Sequence, residues 1–220
     1  MNYRKYRLFI THGTITKFFK AYRSLKSDIH HSFRIKNINT LLPLKLHIGC
    51  GNNLKEEWIN IDLKPPANMQ IDVRRGLPFE TNSCELVYTE HFLEHLTWPD
   101  ENIPFLADCY RVLNPGGVIS IGVPDSKFVV VECLKNIQNF QAMVSKNKWR
   151  YPDYCNTAFE YINYHFRLKG HHKFAYDVDT LQAHLEQVGF INVKQRRYNP
   201  ELDSENRAAG TIYMDGTKGA

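Results

Sequence analysis

The stretch LKLHIGCGNNLKEEWINID at residues 44–62 decides the fold, because it holds two short apolar runs separated by a glycine turn. The first run ends at Ile48 and predicts a buried strand, and Gly49 and Gly51 let the chain turn sharply after it. The second run predicts another strand that ends at Asp62. A glycine turn after one parallel strand and a carboxylate after the next are typical of a nucleotide-type cofactor site, in which the carboxylate binds ribose hydroxyls.

Strand and helix patterns alternate along the rest of the chain. Residues 103–113 keep apolar side chains at helical spacing and run into Asn-Pro-Gly-Gly, which is a strong helix stop. This alternation predicts an α/β fold with a doubly wound, mostly parallel seven-stranded sheet. The further predicted elements are strands at 69–73, 86–88, 118–123, 191–193 and 211–214, a helix within 128–144, and a helix capped by Asp179.

The connection between the first two strands, residues 49–57, is too short for the crossover helix of an ordinary parallel pair. We therefore expect a turn in its place. A dinucleotide site needs a helix N-terminus facing its pyrophosphate, so the short connection argues against a nicotinamide cofactor.

Residues 126–176 interrupt the alternation and predict an inserted helical cap over the cofactor edge of the sheet. The second half of this segment is rich in aromatic and histidine residues. Its aromatic side chains could stack on sugar rings or form a small core of the cap itself. They are Tyr151, Tyr154, Phe159, Tyr161 and Tyr164.

Positive charge is concentrated at the N-terminus. Residues 1–40 hold nine Lys or Arg and one Asp, a net charge of +8, so the other 180 residues sum to −3 of the chain's +5. Apolar residues recur there at helical spacing, which predicts a basic amphipathic helix within a segment 1–43 that precedes a domain at 44–220. Packing on the domain, docking on an anionic membrane surface and contact with RNA all remain open for this helix.

The five cysteines are odd in number and include no Cys-x-x-Cys pair, which favours reduced thiols over disulfides or a structural zinc site. No apolar run is long enough for a membrane span, and no signal peptide is apparent. We therefore expect a cytoplasmic protein, with peripheral contact at the inner face of the membrane left open. The sequence leaves the oligomeric state undetermined.

The order of the motifs resembles the class I S-adenosylmethionine-dependent methyltransferases, in particular small single-domain members linked to surface polysaccharide biosynthesis. The resemblance implies a Rossmann-like fold and S-adenosylmethionine as cofactor. Besides Asp62, the pieces that carry it are HIGCG at 47–51, IDVRRGLPF at 71–79, LVYTEHFLEHL at 86–96 and RVLNPGG at 111–117.

By position, the resemblance assigns the cofactor-binding residues. Gly49 and Gly51 line its methionine part, Asp62 binds the ribose and Asp72 accepts from the adenine amino group. The remaining assigned positions are Thr89 and Glu90, which border the methyl group, and His47, which replaces the family's acidic residue before the glycine turn. Asn53 replaces its third glycine.

The resemblance implies methyl transfer by direct displacement, and it favours a hydroxyl of a sugar or glycan-type acceptor. A neutral imidazole could act as general base for a hydroxyl. The candidate catalytic residues are His91, His95, His165 and His171, with His172 beside them. The alternatives are an RNA or protein methyltransferase, although nucleic acid is not the expected partner, and a non-catalytic S-adenosylmethionine-binding partner protein.

Residues 91–95 also spell His-x-x-Glu-His, which matches an inverted zinc-protease signature. Its position directly after a buried strand, among methyltransferase motifs, favours a helix start near the cofactor. We therefore expect no metal site.

Overall fold

The computed structural model describes residues 43–220. The predicted N-terminal basic helix lies outside these residues. Their sheet has seven strands in the order β3-β2-β1-β4-β5-β7-β6, with β7 antiparallel to both of its neighbours and the other pairings parallel. The strands are β1 Leu44–Ile48, β2 Ile59–Asp62, β3 Met69–Gln70, β4 Cys84–Glu90, β5 Leu113–Pro124, β6 Phe190–Arg196 and β7 Thr211–Lys218. The predicted α/β architecture is thus confirmed.

Five α-helices accompany the sheet in the described part of the chain: α1 Asn102–Val112, α2 Ser126–Lys135, α3 Ile137–Lys146, α4 Ala158–Arg167 and α5 Val178–Gln187. Short 3₁₀ turns occupy Val73–Arg75, Leu93–His95, Leu168–Gly170 and Glu205–Arg207. None of these helices is long and apolar enough to cross a membrane.

The central strands carry the core of the domain. Leu46, Val87 and Ile119 are fully buried in β1, β4 and β5, as expected for parallel strands with both faces covered. Residues 49–58 between β1 and β2 form turns and no helix, which confirms the prediction from their length.

Three details of the prediction were wrong. The helix expected within 128–144 is two helices, because Asn136 lies in extended backbone and its side chain accepts from the Asn139 amide to begin α3. Helix α5 is capped by Asp177, whose carboxylate accepts from the Thr180 amide, and Asp179 lies in its first turn. Strand β3 ends at Gln70, so Asp72 begins a 3₁₀ turn instead.

The segment expected to form a cap contains α2, α3 and α4 and has a small hydrophobic core of its own. Phe140 is fully buried at its centre and packs against Tyr161 and Tyr151. Tyr154 and Phe159, by contrast, are exposed. The aromatic residues named from the sequence therefore divide between core and surface.

All five cysteines lie within the described residues, and each is buried and free. The expectation of reduced thiols is confirmed.

Candidate active site

A cavity of about 450 Å³ opens at the carboxyl ends of β1 and β2. This is the edge at which doubly wound sheets bind ligands. Its walls come from the two strand ends, the 3₁₀ turn after β3, the segment following β4, and the chain just before α5. The lining residues are 48–49, 61–63, 71–74, 91–92, 95–96, 170–171 and 173.

Gly49 forms the tightest part of the cavity wall. Its φ is +69°, and its amide donates to the Ile61 carbonyl oxygen at 2.8 Å, which ties the turn to β2. A Cβ on this residue would lie 2.6 Å from Cδ2 of Phe92. Only glycine therefore combines this backbone conformation with the close approach of the Phe92 ring. Gly51, also at positive φ, has open space around its α-carbon.

The Asp62 carboxylate is fixed at the cavity by two backbone amides. Oδ2 accepts from Gly51 N at 3.0 Å, and Oδ1 accepts from Leu63 N at 2.6 Å. A carboxylate has about four lone-pair positions, so about two remain for donors in the cavity. This arrangement fits a ligand with two adjacent hydroxyl groups, such as the ribose of a nucleoside cofactor.

Asp72 also lines the cavity, but Arg74 already occupies both of its oxygens. The Arg74 guanidinium donates from Nε at 2.8 Å and from Nη2 at 2.7 Å. These bonds to Arg74 lower the pKa of Asp72, so it remains ionised. An adenine amino group bound here, as predicted, would have to share the Asp72 carboxylate with Arg74.

The other four predicted cofactor residues, Gly51, His47, Thr89 and Glu90, are not among the lining residues. His47 is buried on the opposite face of β1 from Ile48, where its Nδ1 lies 3.3 Å from Asn60 Oδ1 and its ring packs on Tyr88. Burial, with a smaller contribution from the Lys55 charge, lowers the pKa of His47 to about 4. It is therefore a neutral residue of the packed interior.

Thr89 is fully buried, and its hydroxyl has no hydrogen-bond partner among residues 43–220. Glu90 accepts from the Ser204 amide and hydroxyl and from the Tyr213 hydroxyl. It thereby fixes the segment between β6 and β7, a role that no local motif indicates because Ser204 is distant in sequence.

Three of the four predicted catalytic histidines, His91, His95 and His171, come together on the cavity wall. The fourth, His165, is not among the lining residues, and its Nδ1 lies 3.1 Å from the Tyr151 hydroxyl. Burial lowers the pKa of His91 to about 3 and that of His165 to about 4, and it also lowers the pKa of His95. These three imidazoles are therefore neutral at pH 7.

Glu94 is a site residue that the sequence reasoning did not assign. It lies between His91 and His95 on the 3₁₀ turn after β4 and is 2% exposed. Burial raises its pKa to about 8. The signal that could have identified it is the His-x-x-Glu-His spacing, which surrounds one carboxylate with two imidazoles.

Residues 46–121 match a family model described as a methyltransferase domain. No curated protein matches the sequence significantly. Among solved structures, a SAM-dependent methyltransferase from Archaeoglobus fulgidus is similar at 17% identity and a TM-score of 0.50, over 91% of this chain and 99% of that one. A SAM-dependent methyltransferase from Thermotoga maritima, described as a possible histamine N-methyltransferase, is similar at 16% identity and a TM-score of 0.46, over 92% of this chain and 96% of that one.

The segment that matches the family model contains the glycine turn, Asp62 and the strand that leads to His91 and His95. The cavity wall includes the backbone of Gly49 and the carboxylate of Asp62, which has about two lone-pair positions left for a ligand. Both features suit a nucleoside cofactor. Residues 46–121 are thus similar to a methyltransferase domain, and the chain shares the fold of a solved S-adenosylmethionine-dependent methyltransferase.

Proposed function

We propose that the protein transfers the methyl group of S-adenosylmethionine to a hydroxyl of a sugar or glycan-type acceptor. The observation that carries this proposal is the cavity itself. Gly49 and Asp62 form one part of its wall, and His91, His95 and His171 form another. Residues suited to hold a cofactor and a set of imidazoles thus line the same cavity.

Backbone groups of the chain fix the residues on the cofactor side of the cavity. The carbonyl of Ile61 and the amide of Gly51 hold the turn and the carboxylate in fixed positions. Asp62 then accepts from two hydroxyls without rearranging, and the bare α-carbon of Gly49 lets the Phe92 ring pack against the turn. When bound, S-adenosylmethionine supplies an electrophilic methyl group on a sulfonium. Aligning two reactants in this way can contribute about 7 to 11 kcal/mol to catalysis.

The neutral imidazoles of His91 and His95 line the acceptor side. A hydroxyl must lose its proton as it attacks, and a neutral imidazole within reach can take that proton. Lys173 also lines this side, and Arg167 and Lys169 lie just before it in the chain. This basic, hydrogen-bonding surface supports a polyhydroxylated or anionic acceptor.

The test is transfer of a labelled methyl group from S-adenosylmethionine to three acceptor sets: sugar nucleotides with oligosaccharides, RNA, and protein. We expect label in the saccharide set, in a product stable to mild base, because a methyl ether resists base and a methyl ester does not. Label mainly in RNA or protein contradicts the proposed acceptor class. Cofactor binding without transfer to any set favours the non-catalytic partner instead.

The base is tested by changing His91, His95, His165 and His171 singly to Gln. We expect at least one variant to lose 10² to 10⁴ in kcat while its cofactor Kd is unchanged, since a general base contributes about that much. If all four variants keep full kcat, none of these four histidines acts as the base.

We further propose that the domain begins near Leu44 and that the enzyme is cytoplasmic, with the strongly basic segment 1–40 able to contact an anionic membrane surface. Co-sedimentation with anionic vesicles tests this contact. Equal sedimentation of the full chain and a variant lacking residues 1–40 contradicts it.

A further inference from the structure

The Glu94 carboxylate is buried without a partner. Within residues 43–220, neither Oε1 nor Oε2 has a hydrogen-bond partner, although the side chain is 2% exposed. The Arg207 guanidinium, whose charge also acts on Glu94, donates to the Glu90 carbonyl oxygen and pairs with the Glu90 carboxylate. A buried carboxylate left in this state is costly unless something else binds it.

Three imidazole nitrogens surround Glu94 Oε1 at nearly equal distances. His95 Nε2 lies at 3.8 Å, His91 Nδ1 at 3.9 Å and His172 Nε2 at 4.0 Å. These distances are too long for hydrogen bonds. The arrangement leaves a gap between the carboxylate and the rings.

The outer hydrogen bonds of the rings determine which nitrogens carry protons. His95 Nδ1 lies 3.0 Å from the His171 carbonyl oxygen, and His172 Nδ1 lies 2.7 Å from the His165 carbonyl oxygen. Because a carbonyl oxygen only accepts, each Nδ1 must be the donor. The Nε2 atoms of both neutral rings therefore direct lone pairs at Glu94.

His91 also directs a lone pair at Glu94, but in this ring the protonated nitrogen is Nε2 and the unprotonated one is Nδ1. The Thr211 hydroxyl donates to the Arg207 carbonyl oxygen, so its Oγ1 accepts from His91 Nε2 at 2.8 Å. His91 Nδ1 is then the unprotonated nitrogen, and it faces Glu94. Three imidazole lone pairs thus converge on the Glu94 side chain, and no donor among the described residues lies within hydrogen-bonding distance of its oxygens, which suits a bound cation.

We propose that Glu94, His95 and His172 bind one divalent transition-metal ion of the zinc class. Their ligand atoms all lie within 4.8 Å of one another. Metal–ligand bonds of about 2.0 to 2.2 Å at tetrahedral angles separate ligand atoms by about 3.3 to 3.6 Å, so a small inward movement completes the site.

The chemistry of the ligands selects the metal. Two imidazoles with one carboxylate suit zinc and its transition-metal neighbours, whereas magnesium and calcium prefer oxygen ligands throughout. Backbone carbonyls that hold the outer ring N–H groups are also usual around metal-bound histidines. This site differs from the inverted protease signature, since it uses Glu94 as a ligand together with a histidine from a distant segment, and it replaces the expectation of no metal.

His95 also lines the active-site cavity, so the ion lies at the cavity wall. A hydroxyl coordinated there would lose its proton more readily. That role rests on the proposed function, whereas the binding site itself does not.

The experiment measures metal binding to the full chain without cofactor or acceptor, so its failure is distinct from failure of the methyl-transfer assay. Chelator-treated protein is titrated with Zn²⁺ against a chromophoric chelator, and bound metal is counted by elemental analysis. We expect one tight Zn²⁺ per chain. We also expect Co²⁺ to give the visible absorption of a low-coordinate site.

Glu94→Gln and His172→Gln should each weaken Zn²⁺ binding at least 100-fold. The matched control is His171→Asn, which removes the exposed neighbouring imidazole and should leave Zn²⁺ affinity unchanged. Because Gln has the size of Glu and carries no charge at any pH, the metal-free Glu94→Gln variant should fold at least as stably as wild type. No stoichiometric Zn²⁺ in wild type, or equal affinity in all three variants, overturns the site.

Discussion

Gly49 turns the chain at the end of β1, and Phe92 packs directly over its α-carbon. The two residues come from different strand ends, so their contact joins the glycine turn to the segment that carries the histidines. A side chain at position 49 would meet both a left-handed backbone conformation and the aromatic ring. Replacing Gly49 should therefore cost free energy in two separable ways, through backbone strain and through a clash with the Phe92 ring.

Gly49→Ala should lower cofactor affinity at least tenfold and destabilise the fold. The matched control is Gly116→Ala, at φ +80° with open space around its α-carbon and outside the cavity. It should cost only the backbone strain, about 1 to 2 kcal/mol, with unchanged cofactor affinity. Calorimetric binding and urea unfolding measure both effects. Equal losses in the two variants contradict the proposed contact with Phe92.

His47 is one of the two residues, with Asn53, at which the sequence departs from the pattern of the family it resembles, and the structure gives His47 a packing role. Its ring lies between Asn60 and Tyr88. The pKa of His47 falls from its ordinary 6.5 to about 4 on folding. The unfolded chain therefore binds more protons between these values, so stability is complete above about pH 6.5 and declines as the pH falls toward 4.

His47→Gln should remove this part of the acid sensitivity while keeping a donor for Asn60. The free energy of unfolding of wild type minus that of the variant should fall by up to about 3 kcal/mol between pH 6.5 and 4. Urea unfolding at several pH values measures it. A difference that stays constant over this range would falsify the account of His47.

Among the elements, the connection from β6 to β7 compensates for the missing first helix. Asn53 donates to the Ser204 hydroxyl at 2.9 Å, and Lys55 donates to the Leu202 carbonyl oxygen at 2.6 Å. The connection is held in turn by Arg196, which bonds Asp203 and Asp215. It therefore packs against the turns that replace a crossover helix.

Arg196→Met should cost about 3 kcal/mol of stability, because it leaves the buried Asp203 carboxylate without its charge partner. Its matched control is Arg197→Met, one residue later in the chain at an exposed position, which should cost less than about 0.5 kcal/mol. Urea unfolding compares the two. Similar stabilities for both variants would show that the Arg196 network does not hold the connection.

Across the whole molecule, the sequence predicted what depends on local pattern. The buried strands, the shortened first connection and the end of α1 follow from apolar periodicity, chain length and the Asn-Pro-Gly-Gly stop. Asp177 and Asp179 both precede the same apolar stripe, and only the bond to the Thr180 amide decides between them. The apolar spacing likewise continues through Asn136, so it does not reveal the break between α2 and α3.

The candidate site, like the fold, was predictable from the sequence only where it depends on local pattern. Strand alternation would have placed His47 on the face opposite Ile48, away from the cavity. The meeting of Glu94 with His172 was not predictable, because it depends on how the chain after α4 returns to the sheet. The Lys173 and Phe174 amides donate to the Glu94 carbonyl oxygen and so bring this segment into place.

The central claim is that the edge formed by Gly49 and Asp62 binds S-adenosylmethionine, and isothermal titration of the full chain tests it most directly. We predict one site for S-adenosylmethionine and for S-adenosylhomocysteine. Asp62→Asn should weaken both about 10- to 100-fold through loss of charged hydrogen bonds, whereas Asp179→Asn, at a side chain 84% exposed on α5, should change neither. No binding of either ligand, or full affinity in Asp62→Asn, would contradict the claim.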